Sequence, residues 1–187
     1  MIVEANLEEA KEIYNKHMME DFPEDELPEY EKYLRLTEEK LHDVYLYEKD
    51  NQNVAYFIVV EEENNILISH LSVMKEFRSK GIGKVFLEDI KNFFNDKNML
   101  IVEVEAETRA NNNEELDVIK RRKKYYTRAG FEECKKIEYI LLGVEYDILI
   151  YVPENNKIYE NIEIKKIIEK LYEKLGLDKE KLKINIM

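Results

Sequence analysis

Residues 66–96 read ILISHLSVMKEFRSKGIGKVFLEDIKNFFND. An apolar, β-rich run passes into a turn with two glycines, and the turn opens an amphipathic helix. The spacing of Phe86, Ile90, Phe93 and Phe94 predicts one apolar face on that helix. The first backbone N–H groups of a helix lack intrahelical partners and carry the positive end of its dipole. Gly81 and Gly83 remove the Cβ atoms that would hold an anion off the backbone, and glycine tolerates positive φ. Arg78, Lys80 and Lys84 add cationic side chains around the same turn. Strand, glycine turn and helix together point to a polyphosphate ligand.

The missing residues narrow which polyphosphate. A Walker A loop ends in Gly-Lys-Ser/Thr, whereas Lys84 is followed by Val85. A dinucleotide fingerprint needs three glycines in an N-terminal βαβ unit, and the turn has two. Arg78-Ser79-Lys80-Gly81-Ile82-Gly83 has the form Arg/Gln-x-x-Gly-x-Gly/Ala and follows a strand ending Leu71-Ser72-Val73. It resembles the acetyl-CoA pyrophosphate loop of the GNAT superfamily of N-acetyltransferases.

Upstream, Met1 to Ala5 reads as a short strand, and Asn6 with Glu9 as an N-cap pair. Leu7, Ala10, Ile13, Tyr14 and His17 form a helical stripe, on which His17 reads as a packed histidine. Glu20 to Glu31 holds seven acidic residues and no basic one, and a second helix follows from about Glu29 to Leu41. Asp43 to Glu48 and Val54 to Glu61 are β-branched and aromatic runs around Asp50-Asn51-Gln52-Asn53. Asn64-Asn65 turns into the strand before the glycines.

Downstream, Leu100 to Glu107 alternates strictly. Leu100, Val102, Val104 and Ala106 share one face, and Ile101, Glu103, Glu105 and Glu107 the other. A strand–helix–strand order implies a right-handed crossover, so this strand lies beside the one that ends in the glycine turn. Three carboxylates on one face suit an opening into a cleft better than cover by a helix. A helix from Glu114 to Arg128 carries Lys120-Arg121-Arg122-Lys123-Lys124 and ends at Gly130. Phe131 to Leu142 and Glu145 to Val152 form two closing strands. After Pro153-Glu154-Asn155-Asn156, a stripe of Ile164, Ile167, Ile168, Leu171, Tyr172 and Leu175 marks a last helix stopped by Gly176.

The element order and two further marks extend the resemblance over residues 1–152, leaving 153–187 as a C-terminal helical extension. Tyr126-Thr127-Arg128-Ala129-Gly130-Phe131 resembles the family's Tyr-x-x-x-Gly-Phe, and Val102-Glu103-Val104 its Leu-Glu-Val strand. The fold implied is α+β: a mixed, mostly antiparallel sheet of six to seven strands with helices on both faces, splayed between the fourth and fifth strands. The activity implied is acetyl transfer from acetyl-CoA to a primary amine. The resemblance assigns the cosubstrate to Leu71, Ser72, Val73 and to Arg78, Ser79, Lys80, Gly81, Ile82, Gly83, Lys84. It places Tyr126 at the leaving thiolate, with Tyr125 one helical position away, about 100° off. It makes Glu103 the first candidate for general base, with Glu105 beside it to raise one pKa by like-charge repulsion. His70 is the runner-up. The family's pantetheine-binding Asn could be Asn111, Asn112 or Asn113, and the segment before Tyr126 is about ten residues longer than in minimal members.

With 187 residues, 44% hydrophobic and 37% charged, the chain suits a globular domain with a substantial core. Net charge −12 disfavours nucleic acid and anionic membrane and favours cationic partners, so the basic run reads as a solvated helix face. Cys134, as a lone cysteine, excludes internal disulfides and suits the reducing cytoplasm. His17, His42 and His70 lack metal-ligand spacing, so no metal is expected. The expected partner is a small-molecule or peptide amine, cationic amines included, for a monomer or homodimer. The competing function is a non-catalytic acyl-CoA-binding regulatory module.

Overall fold

A computed structural model describes residues 1–153 and 158–187; the turn read at 154–156 lies outside them. The chain divides into two compact units, Met1–Val60 with Ile68–Phe93, and Glu61–Leu67 with Phe94–Met187.

In the first unit, β1 (Ile2–Glu4) pairs antiparallel with β2 (Asp43–Lys49), which pairs antiparallel with β3 (Gln52–Glu62). The β2–β3 turn puts Asp50 and Asn51 at φ 52° and 59°, the pair of positive values that a two-residue hairpin turn needs. Helix α1 (Leu7–Ile13) starts on the Asn6–Glu9 capping box and runs through a π-turn (Tyr14–Met18) into α2 (Met19–Asp21). This helix continues past the stripe predicted to end at His17. With α3 (Tyr30–Glu38), it buries Ala10, Ile13, Tyr14, Met18 and Tyr33 against Val44, Leu46, Tyr56 and Ile58. The opposite face carries Tyr45, Tyr47 and Phe57, which meet Phe86 and Phe93 of α4 (Ile82–Phe93).

In the second unit, β5 (Met99–Glu105) pairs antiparallel with β8 (Val144–Tyr151). Beyond β8 lie β6 (Glu132–Glu133) and β7 (Ile137–Leu141), both antiparallel to it. The last strand, β9 (Leu182–Ile186), pairs antiparallel with β7. The run Leu182-Lys183-Ile184-Asn185-Ile186 has the period of two that a strand requires, a signal the reading of six to seven strands passed over. The strand order is β1-β2-β3-β4-β5-β8-β7-β9, with β6 on β8, which makes nine strands among the described residues, slightly more than the six or seven expected. β4 (Asn65–Val73) is divided: residues 65–67 belong to the second unit, where Asn98 N donates to Asn64 O at 2.8 Å, and 68–73 to the first.

Helices cover both faces of the second unit too. Residues paired in register share a face, so Val104 lies with Asp147 and Glu103 with Ile148. Lys123 of α5 (Asn113–Arg128) reaches Asp147 at 2.8 Å, which puts α5 on the Val102–Val104 face. Helix α6 (Asn161–Lys174) buries Ile164, Ile168, Leu171 and Tyr172, and Tyr172 bonds Glu103, which puts α6 on the opposite face. The face expected to open into a cleft is therefore covered at Glu103. The cost of placing a carboxylate there is met by hydroxyl donors. The C-terminal residues from 158 on belong to the same unit as β5.

Candidate functional site

The glycine turn lies in the first unit. Ser79 (φ 62°) and Gly81 (φ 74°) adopt left-handed backbone, and α4 begins at Ile82. Such alternation just before a helix start forms a concavity of N–H groups suited to an anion. Among the described residues, and apart from Gly81 and its two chain neighbours, no heavy atom lies within 4 Å of where a Gly81 Cβ would stand, so the space there is open. Gly83 differs from Gly81: it sits inside the first turn of α4, without positive φ.

Arg78 is not spread toward that concavity. Its Nε donates to Val73 O at 2.8 Å, and one terminal nitrogen donates to Asp21 Oδ1 and, at 3.2 Å, to Ser72 Oγ. Asp21 has only 3% of its side chain exposed, and its other oxygen accepts from Tyr56 Oη at 2.9 Å. Arg78 thus fastens the end of β4 and the turn to α2. Its Nε and one terminal nitrogen are thereby engaged with the protein. Lys80 folds back to Glu76 O at 2.9 Å, with its ammonium 5.3 Å from the Phe77 ring centre.

His70, on β4, has both ring nitrogens occupied, Nδ1 with Ser69 Oγ at 3.2 Å and Nε2 with Glu26 O at 3.3 Å. Burial lowers its pKa to about 4, so the ring is neutral at pH 7. A base with that proton affinity holds a proton poorly at neutral pH.

The second unit holds the other candidates. Glu103, half-buried, accepts from Tyr172 Oη at Oε2 (2.7 Å) and from Tyr139 Oη at Oε1. Burial raises its pKa above the ordinary carboxylate value, and the two tyrosine bonds work against that rise. Glu105 is tied to Arg109 at 2.9 Å and Arg122 at 3.3 Å. Two guanidiniums offset its charge, so desolvation, and not the expected repulsion from Glu105, is what lifts Glu103.

Tyr126 is 8% exposed and packs edge-on against Tyr125 and Phe131, on the face of β5 opposite Glu103. Burial pushes its pKa up to about 12, with Arg122 pulling slightly the other way. The turn after α5 depends on Gly130 at φ 90°, as the Tyr-x-x-x-Gly-Phe pattern requires. Asn112 caps α5 by accepting from Glu115 N at 2.9 Å, and Asn111 is held by Glu115, so both amides are engaged locally. Of the basic run, Lys120, Arg122 and Lys123 pair with Glu107, Glu105, Glu133 and Asp147. Burial and nearby glutamates raise Cys134 to about 12, which leaves the thiol unreactive.

Asp21, Tyr56, Tyr139 and Tyr172 were not singled out from sequence. Asp21 is one of seven carboxylates in its stretch, and Tyr172 sits on a stripe that reads as ordinary core. Among the described residues, no cluster of His, Cys, Asp and Glu has the makings of a metal site. No described helix is long and apolar enough to cross a membrane.

Comparison with known proteins bears on the family and the fold. Residues 40–133, just over half the chain, match the model of the acetyltransferase (GNAT) domain. Among solved structures, a protein of Bacteroides thetaiotaomicron described as a GNAT-family acetyltransferase superposes with a TM-score of 0.78 at 18% identity, over 95% of this chain and 99% of its own. Spermidine N-acetyltransferase of Vibrio cholerae, in complex with CoA and spermine, gives 0.58 at 8% identity, over 81% and 94%. A Bacillus subtilis acetyltransferase in complex with CoA gives 0.53 at 11% identity, over 81% and 97%. No curated protein matches.

Proposed function

The chain belongs to the GNAT acetyltransferase family, and from that premise we propose that it moves the acetyl group of acetyl-CoA directly to a primary amine. The observation that carries the cosubstrate is the open left-handed backbone at Ser79 and Gly81 leading into α4. The diphosphate would take the N–H groups of residues 79–84, and the end of β4, Leu71 to Val73, the pantetheine arm. When bound, acetyl-CoA supplies the electrophilic carbon and a thiolate leaving group.

The acceptor must attack as a neutral amine. A lysine-like amine, pKa about 10.4, costs ~4.6 kcal/mol to deprotonate at pH 7, from 1.36 kcal/mol per unit. Glu103, its proton affinity raised by burial, is the base we assign. Tyr126 serves the opposite side of the reaction. Full proton transfer from a phenol at about 12 to a thiolate near 8.5 is uphill by about 5 kcal/mol. Its role is therefore to donate a hydrogen bond to the thiolate, and deprotonated Tyr126 forms no part of the cycle.

The acidic stretch Glu20 to Glu31 favours a cationic acceptor, and polyamines are the first to try, given the spermine complex of the Vibrio relative. Residues 1–152 would carry the binding and catalytic groups, with the C-terminal residues completing the second unit, and the protein would work in the cytoplasm. Thiol release from acetyl-CoA across a panel of amines tests the reading. Turnover with at least one amine is expected. Tight CoA binding without turnover on any amine would favour a regulatory acyl-CoA-binding module instead.

A further inference from the structure

Glu103 is held by two residues to which the proposed reaction gives no task. Tyr139 comes from β7 and is fully buried; Tyr172 comes from α6 and is 8% exposed. Each donates its hydroxyl proton to a different carboxylate oxygen, Tyr172 at 2.7 Å. Burial and the neighbouring carboxylate hold both phenols well above their ordinary pKa, so they stay protonated and act as donors alone. The two anchors come from different elements and together restrain where the carboxylate sits. An ionised carboxylate offers about four lone-pair sites, so two remain for an incoming N–H.

We propose that Tyr139 and Tyr172 are positioning residues for Glu103, and that α6 is thereby a working part of the acid–base apparatus and more than a cover for the sheet. The inference rests on Glu103 as base. Other charged groups nearby are committed elsewhere. Glu105 is tied to Arg109 and Arg122. On α6, Lys165 donates to Ile184 O, Lys170 pairs with Glu63 and Lys174 donates to Glu61 O. On β8, Tyr146 lies with its ring centre 6.2 Å from that of Tyr139. The two hydroxyls are thus the groups that oppose burial at Glu103. A donor to the charged form favours that form, and removing it makes the carboxyl harder to ionise.

The test uses the full chain with acetyl-CoA and an amine that it accepts. Tyr172→Phe keeps the ring and removes one oxygen. It should move the acidic limb of the kcat/KM profile up by about one pH unit, as expected for loss of a hydrogen bond to a charged group. At pH values below the limb kcat should fall about tenfold, with KM for acetyl-CoA unchanged. The Glu103 carboxyl resonance, assigned with Glu103→Gln in 13C-glutamate-labelled protein, should titrate at the same raised value. Tyr139→Phe should act in the same direction. If Glu103→Gln removes the limb while Tyr172→Phe, folded by circular dichroism, leaves limb and resonance in place, the inference is overturned and the base assignment stands. If Glu103→Gln keeps the wild-type limb, the base assignment itself has failed and the inference falls with it.

Discussion

Tyr126 and His42 show how single buried groups become measurable. For Tyr126 the loss of one hydroxyl leaves the packing with Tyr125 and Phe131 in place. Tyr126→Phe should lower kcat by about 10- to 100-fold, the range of one hydrogen bond to developing charge, with CoA affinity within about twofold. Steady-state kinetics beside calorimetry would check it; equal losses in both would remove the phenol from the chemical step. His42 is 5% exposed, with Nε2 2.7 Å from Thr37 Oγ1, and burial lowers its pKa from 6.5 to about 4. The unfolded chain then binds a proton that the folded chain refuses. This contribution is complete above pH 6.5 and lost as pH falls toward 4, about 3 kcal/mol in all. Urea unfolding across that window should show the loss, and His42→Gln should reduce it, with His70 contributing the remainder.

The turn before α4 is where the proposed binding of CoA depends on element geometry. Gly81 stands at φ 74°, so Gly81→Ala carries backbone strain of about 1 kcal/mol with space for the methyl group itself. Gly81→Asp adds a negative charge in the concavity and should abolish CoA binding in calorimetry while the fold remains. Asp21 acts on the same turn from α2. Asp21→Ala would strand the Tyr56 hydroxyl and free Arg78, whose side chain is 44% exposed. A loss of about 2 kcal/mol in stability is expected from the unsatisfied partner, together with weaker CoA binding as the turn loses its tie. Unchanged CoA affinity in a folded Asp21→Ala protein would show that the clamp does not set the turn.

For the whole molecule, the C-terminal residues raise the largest stability question. Ile164, Ile168, Leu171 and Tyr172 are buried within the second unit. At about 2 kcal/mol for each buried side chain, α6 contributes as much as a typical domain's entire margin of 5–15 kcal/mol. A chain ending at residue 152 should therefore fail to fold its second unit, visible as lost near-UV circular dichroism and aggregation.

Much of this protein was legible in its sequence because the signals are local. The Asn6–Glu9 capping box, the stripes of α4 and α6 and the turn Arg78–Gly83 each depend on residues within a few positions of one another. The GNAT family followed from such marks, and with it the acetyltransferase class. What tertiary structure alone decided are pairings between distant residues: Arg78 with Asp21, 57 positions apart, and Glu103 with Tyr172, 69 apart. Periodicity put Glu103 on a face but left open what covers it, since an amphipathic stripe does not name its partner surface. Whether a carboxylate meets water, a guanidinium or a pair of phenols is fixed only when separate elements pack. That packing determines how tightly the carboxylate holds its proton.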